Sequence, residues 1–375
     1  LFNKKKELKI KIIKIIKLFR KSKSPLIVCG QGVRQSKAIE EFKKIVNVLK
    51  VPVVFSRLGQ DIIPHNQKYI FGLSGIKGTR FCKSITQKSD VVLVLGSRLA
   101  VPFIGYKSEA FSKKAKIIMV DIDSAELKKP LKLAVKINLD LKDFLIEFKK
   151  ELKKEKLPSY KNWINYCEKL KRDHPMVVSK MKKNPIDLYY FMQRLGKISS
   201  SKSVLISDAG SNYYIGGQVW GFEKSQRELT SGSNAAMGLS IPLSIGASVS
   251  SPTKNIFAVT GDGSLELNIQ ELKTISHYKL NIKLFVINNG GFVSMINWQD
   301  TIFKGRRLDT KESTGYGSLN LKKIAEAFDM KWTKISDFKK IDGTLKRLNK
   351  TKGPIFVEVI TNNQQKIVDS FGYFT

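Results

Sequence analysis

Two stretches of this sequence carry residue types suited to metal and phosphate chemistry. They are Gly261-Asp262-Gly263-Ser264 and Asn288-Asn289-Gly290-Gly291, with Asn289 27 residues after Asp262. Each follows an apolar run of strand length, at 256–260 and 282–287. A strand, helix, strand crossover of that span returns both turns to one edge of a parallel sheet, where open α/β folds bind ligands. There the Asp262 carboxylate, the Asn289 amide oxygen and a backbone carbonyl near Gly291 make an all-oxygen donor set suited to Mg²⁺. Such an ion keeps open positions for phosphate oxygens. Glycines let the backbone approach a ligand, and helix N-termini expected after Gly210 and Ser264 offer N–H groups to an anion. Asp262-x-Ser264-x-Glu266 lacks the Gly that a calcium loop needs after its third ligand. Gly261-Asp262-Gly263 alone also fits an ordinary turn, a reading that the second stretch at this spacing weakens.

One sheet positions these residues, and 375 residues exceed what one hydrophobic core usually serves, so two domains are expected. Apolar runs at 26–29, 51–55, 91–95 and 117–121 alternate with helical spacing, and a second set lies at 204–207, 256–260, 282–287 and 354–360. The pattern predicts an α/β chain with two doubly wound parallel-sheet domains. A leading amphipathic helix within 1–22 is expected to pack against a Rossmann-like domain over 23–150. A Lys-rich linker over 151–184 and a second domain over 185–375 follow. Gly30-Gln31-Gly32 lacks the third glycine of the dinucleotide fingerprint, because position 35 is Gln, and reads as a tight strand-to-helix turn.

Composition narrows the function classes. Of the 67 basic residues only 11 are Arg, and Lys is spread over almost every expected helix. The net charge of +35 is therefore a Lys bias rather than the Arg-and-aromatic surface of a nucleic-acid reader. Cys29, Cys82 and Cys167 have no disulfide or metal spacing, which points to a reducing compartment, the cytoplasm. No apolar run nears the roughly 20 residues of a spanning helix, so no membrane partner is expected. His65, His174 and His277 have no Ser/Asp arrangement that suggests a hydrolase triad, and His277 reads as a surface or packing residue.

The Asp262 and Asn288-Asn289 pairing resembles the thiamine-diphosphate motif, and the chain is similar to the middle and C-terminal domains of the acetolactate synthase-like family. The resemblance implies thiamine diphosphate and Mg²⁺ as cofactors, with Asp262, the Asn289 side chain and the Gly291 carbonyl holding the cation. It places Gly210, Ser211 and Asn212 in the diphosphate-contacting turn, with Gly261, Gly263 and Ser264 in the motif itself. Met237 then wedges the cofactor into a bent shape, and the Ala235 carbonyl accepts a hydrogen bond from its aminopyrimidine. Met295 and Trp298 fall in the pocket for the second oxoacid, although Trp298 also fits plain core packing.

The implied reaction is decarboxylation of a 2-oxoacid such as pyruvate and transfer of the remaining fragment to an acceptor, by a homodimer or tetramer. Ser294 stands where these synthases tend to carry Met. Gly96-Ser97-Arg98-Leu99 lacks the acidic pair that flavin-binding members show after that Arg, which argues against bound FAD. No Glu here matches the family's activating Glu, which an N-terminal domain carries. Together with Leu1 in place of Met, this gives the expectation of a fragment inactive on its own. A non-oxidative decarboxylase or other thiamine-dependent lyase, and a non-catalytic subunit, are the alternatives.

Overall fold

A computed structural model of the chain describes residues 2–106, 108, 111, 114–232 and 234–368, with side chains from residue 5 onward. Ser233 of the glycine-rich stretch and 369–375 of the expected second domain lie outside them. The chain divides into one unit up to Pro175 and a second from Met176 to Ile367.

The first unit is a six-stranded parallel sheet of β1 (Pro25–Cys29), β2 (Val53–Phe55), β3 (Ile70–Leu73), β4 (Val91–Leu95), β5 (Lys116–Asp121) and β6 (Leu133–Asn138). Its order is β3-β2-β1-β4-β5-β6. The central strands β1 and β4 are buried along their whole length, as continuous Val/Ile/Leu runs require when helices cover both faces. The helix Phe2–Lys21 buries Ile12, Ile15, Ile16 and Phe19 on one stripe and turns most of its Lys residues outward, so its apolar side is spent on packing.

Winding reverses between β1 and β4, and there three glycines let two turns touch backbone to backbone. Gly32 N–H donates to the Gly96 carbonyl at 3.0 Å. A Cβ on Gly30 would lie 2.1 Å from that carbonyl oxygen, and one on Gly32 would lie 2.6 Å from Gly96 Cα. Within 151–184, expected as a linker, the helix Lys161–Asp173 packs on this unit. Trp163 indole N–H donates to the Pro25 carbonyl at 2.9 Å, and the Tyr160 hydroxyl donates to the Phe19 carbonyl at 2.7 Å.

The second unit is a six-stranded parallel sheet of β7 (Ser203–Ser207), β8 (Arg227–Leu229), β9 (Asn255–Gly261), β10 (Ile282–Asn288), β11 (Lys331–Ile335) and β12 (Ile355–Ile360). Its order is β11-β12-β10-β9-β7-β8, so winding reverses between β7 and β9. Period-two alternation puts Val204 and Ile206, Ile256 and Ala258, Leu284 and Val286, and Phe356 into one buried cluster. Pairing of Ser207 with Val259, and of Gly261 with Ile287, sets the turns after β7, β9 and β10 side by side. Among the described residues no helix is long and apolar enough to cross a membrane.

The glycine contact between β1 and β4 gives a direct test. Gly30→Ala is expected to cost about 2–4 kcal/mol, because backbone on the far side cannot yield to the added methyl. Gly343→Ala, in open space on the helix Ile341–Lys350, is expected to stabilise by about 0.5–1 kcal/mol. Urea denaturation of both variants checks the contrast.

Candidate functional site

Strand β9 ends at Gly261, and Asp262 opens the short helical turn Asp262–Leu265 with its carboxylate buried. Oδ1 accepts the Gly263 N–H at 3.0 Å, while Oδ2 accepts those of Gly290 at 2.9 Å and Gly291 at 3.2 Å. One carboxylate thus ties the end of β9 to the turn after β10. That turn needs glycine: φ is +70° at Gly290 and +137° at Gly291, and a Cβ on Gly291 would lie 2.2 Å from the Thr310 carbonyl oxygen. Burial pushes the Asp262 carboxyl up to about 6, against the opposing pull of the N–H groups of Gly263, Gly291, Gly290 and Asn289. Those groups are dipoles, and among the described residues no cationic side chain is one of the leading influences on the charge.

Beside this carboxylate, Asn289 Oδ1 is buried without a hydrogen-bond partner. Across the β7/β9 reversal, Asn212 donates through Nδ2 to the Val259 carbonyl at 3.2 Å and leaves its own buried Oδ1 unpartnered. The Gly291 carbonyl accepts Val293 N–H at 3.2 Å and keeps a second lone pair. Buried oxygens without donors are costly, and a hard cation satisfies such oxygens together with a carboxylate. Among the described residues no group of three or more His, Cys, Asp or Glu is placed to hold a metal. The donor set here is one carboxylate with neutral oxygens, which fits an ion that shares its coordination with phosphate.

Gly210, with φ +85°, caps the helix Ser211–Val219, and its N-terminus opens at the same edge. Ser211 Oγ lies 3.1 Å from Ser294 Oγ, joining that helix to the one that follows the glycine turn. The helix start expected after Ser264 is instead at Asp262: Asp262 itself opens the helical turn, and Ser264 is buried inside it. Gly263 is held close by Phe292, whose ring would lie 2.3 Å from an added Cβ.

Asp208, which the sequence analysis did not single out, organises the remaining loop. It is 1% exposed. Oδ1 accepts the N–H groups of Ala209 at 2.7 Å and Gly238 at 2.9 Å. Oδ2 accepts Ser240 N–H at 3.2 Å, Ser240 Oγ–H at 2.5 Å and Thr260 Oγ1–H at 3.0 Å. The glycine-rich stretch is thereby pinned beside β9, with Ala235 at φ +47° and Met237 36% exposed. The visible signal was an Asp directly after an apolar strand. Met295 and Trp298, on the helix Val293–Ile302, are 50% and 60% exposed, so Trp298 is not a core residue of this unit. His277 is exposed, on the surface as expected.

Residues 12–148 match the central domain of thiamine pyrophosphate enzymes, and residues 208–359 match their C-terminal TPP binding domain. The chain belongs to the thiamine pyrophosphate enzyme family. The TPP-binding match starts at Asp208 and takes in Asp262 and Asn289. Acetolactate synthase 1, chloroplastic, of Nicotiana tabacum is 28% identical over 94% of this chain and 54% of its own length. The acetolactate synthase large subunits of Lactococcus lactis and Porphyra purpurea are 26% and 29% identical over 92% and 94% of the chain, and 59% and 60% of their own lengths. The chain thus spans somewhat more than half the length of these relatives.

In the central domain, the β1/β4 reversal is occupied by the glycine contact. The Arg98 guanidinium lies 3.6 Å from the Glu126 carboxylate, and its carbonyl accepts Lys129 Nζ–H at 3.0 Å. Gln31 Oε1, between Gly30 and Gly32, is buried there without a hydrogen-bond partner, as Asn212 Oδ1 and Asn289 Oδ1 are in the other unit.

Two outcomes follow from this geometry. Asp208→Asn is expected to lose about 2–4 kcal/mol, because its amide presents N–H to a ring of donors; denaturant midpoints check this. Without a bound cation, the raised Asp262 carboxyl pKa means that the folded chain holds the proton more tightly than the unfolded chain. Its stabilising contribution is full below 3.8 and is lost as the pH rises through about 6, so melting temperatures of wild type and Asp262→Asn should converge towards acid pH.

Proposed function

We propose that the C-terminal unit binds thiamine diphosphate through Mg²⁺, and that the enzyme decarboxylates a 2-oxoacid, with pyruvate as donor, and joins the remaining fragment to an acceptor as an acetolactate synthase. The observation that carries the reading is the unpartnered, buried Asn289 Oδ1 beside a buried Asp262 carboxylate that lacks a cationic partner. Bound thiamine diphosphate supplies the carbon nucleophile and the electron sink for decarboxylation.

The chain's own residues hold and orient it. Asp262, Asn289 and the Gly291 carbonyl take the cation, while the N-terminus of the helix Ser211–Val219, with Asn212, faces the diphosphate. Asp208 sets the glycine-rich loop so that Ala235 and Met237 meet the ring system. The exposed apolar side of the helix Val293–Ile302, with Met295, Trp298 and Ile302, supports a pocket completed by a second copy, in a homodimer or tetramer. The absence of an acidic pair after Arg98 supports a central domain without FAD. Three buried free thiols fit a reducing compartment, the cytoplasm.

Calorimetric titration with thiamine diphosphate tests the reading. Binding that requires Mg²⁺ and is lost in Asp262→Ala supports it, and unchanged affinity in that variant overturns it. Product analysis with pyruvate, on the chain joined to the domain that carries the activating Glu, then separates the reactions: acetolactate supports the synthase, and acetaldehyde alone the simple decarboxylase.

A further inference from the structure

The chain returns to the glycine turn after the helix that carries Trp298. Lys311 forms an antiparallel bridge with Gly291, and Phe292 N–H donates to the Thr310 carbonyl at 2.9 Å. Tyr316 N–H donates to the Lys311 carbonyl at 3.1 Å. This stitching seats the Tyr316 ring edge-on against Phe292, with centroids 5.2 Å apart and planes at 74°. Phe292 in turn lies on Gly263, next to Asp262.

Tyr316 is 7% exposed, and its hydroxyl is buried without a hydrogen-bond partner. A Phe would fill the same space without stranding a polar atom, so the phenol is explained by something that accepts its hydrogen bond. Burial, and then the carboxylates of Asp262 and Glu266, push the phenol pKa up in the cation-free chain. Three unpartnered buried oxygens, on Asn212, Asn289 and Tyr316, therefore belong to the elements that frame Asp262.

We propose that Tyr316 is a positioning residue of the metal site, donating its O–H into the hydration shell of the cation held by Asp262, Asn289 and Gly291. Mg²⁺ releases its waters reluctantly, and outer partners of this kind commonly change metal affinity by 10- to 100-fold. The inference rests on the reading of that turn as a Mg²⁺ site.

Tyr316→Phe keeps the ring packing and deletes only the hydroxyl. Melting temperatures are measured without cation, then across a Mg²⁺ titration at saturating thiamine diphosphate, for wild type, Tyr316→Phe and Asp262→Ala. Without cation the Phe variant is expected to melt at or above wild type. With cation its half-saturating Mg²⁺ concentration is expected to rise about tenfold, with thiamine diphosphate affinity at excess Mg²⁺ unchanged. A merely structural tyrosine would lower every melt equally and leave the Mg²⁺ midpoint in place, which overturns the inference alone. A wild type that ignores Mg²⁺ and behaves as Asp262→Ala does overturns the metal reading, and the inference with it.

Discussion

A carboxylate removed from water and met by backbone dipoles instead of a counter-charge sets the terms for the C-terminal unit. Asp262 reaches across from the end of β9 to the N–H groups of Gly290 and Gly291, so the two turns that frame the site are one hydrogen-bonded piece. Burial drives its pKa up to about 6, which makes the apo site an electrostatically unfinished one. In the proposed reading a divalent cation completes it more fully than any rearrangement of the surrounding N–H groups, because a full charge outweighs dipoles at short range. The glycines follow from the same constraint: the left-handed backbone at Gly290 and Gly291 is what aims consecutive N–H groups at a single oxygen.

Asp208 is the second carboxylate of this edge and works differently. Its five hydrogen bonds come from the residue that follows it and from Gly238, Ser240 and Thr260, so it is spent on holding chain to chain rather than waiting for a ligand. A satisfied carboxylate positions, and an under-satisfied one beside unpartnered oxygens is suited to a cation. That division separates residues which look alike in sequence, each an acid just past an apolar strand.

The sequence shows the middle of each sheet and hides its rim. β1, β4 and β9 are apolar through their middles, and β10 and β12 are too apart from Lys283 and Glu358, because central parallel strands are covered on both faces. The four strands that pattern reading misses, β3, β6, β8 and β11, are the outermost strand on each side of each sheet. Arg227-Glu228-Leu229 and Lys331–Ile335 are partly exposed and carry charge, while β3 is broken by Gly72 at φ +117°. That Asp262, Asn289 and Gly291, the proposed cation ligands, share one sheet edge was legible because their spacing reflects one local crossover. The roles of Asp208 and Tyr316 were not, because their contacts run through irregular loops whose path no hydrophobic period marks. The helix Lys161–Asp173 was hidden by its Lys-rich outer side, although Trp163, Ile164 and Cys167 form a buried stripe.

The central claim is that Asp262, Asn289 and Gly291 hold a divalent cation. The most direct measurement is an anomalous difference map from crystals of the protein grown with thiamine diphosphate and Mn²⁺ as a stand-in for Mg²⁺. The account predicts a peak bounded by the Asp262 carboxylate, Asn289 Oδ1 and the Gly291 carbonyl. A fully bound cofactor with no peak there, or with the cation on other residues, contradicts it.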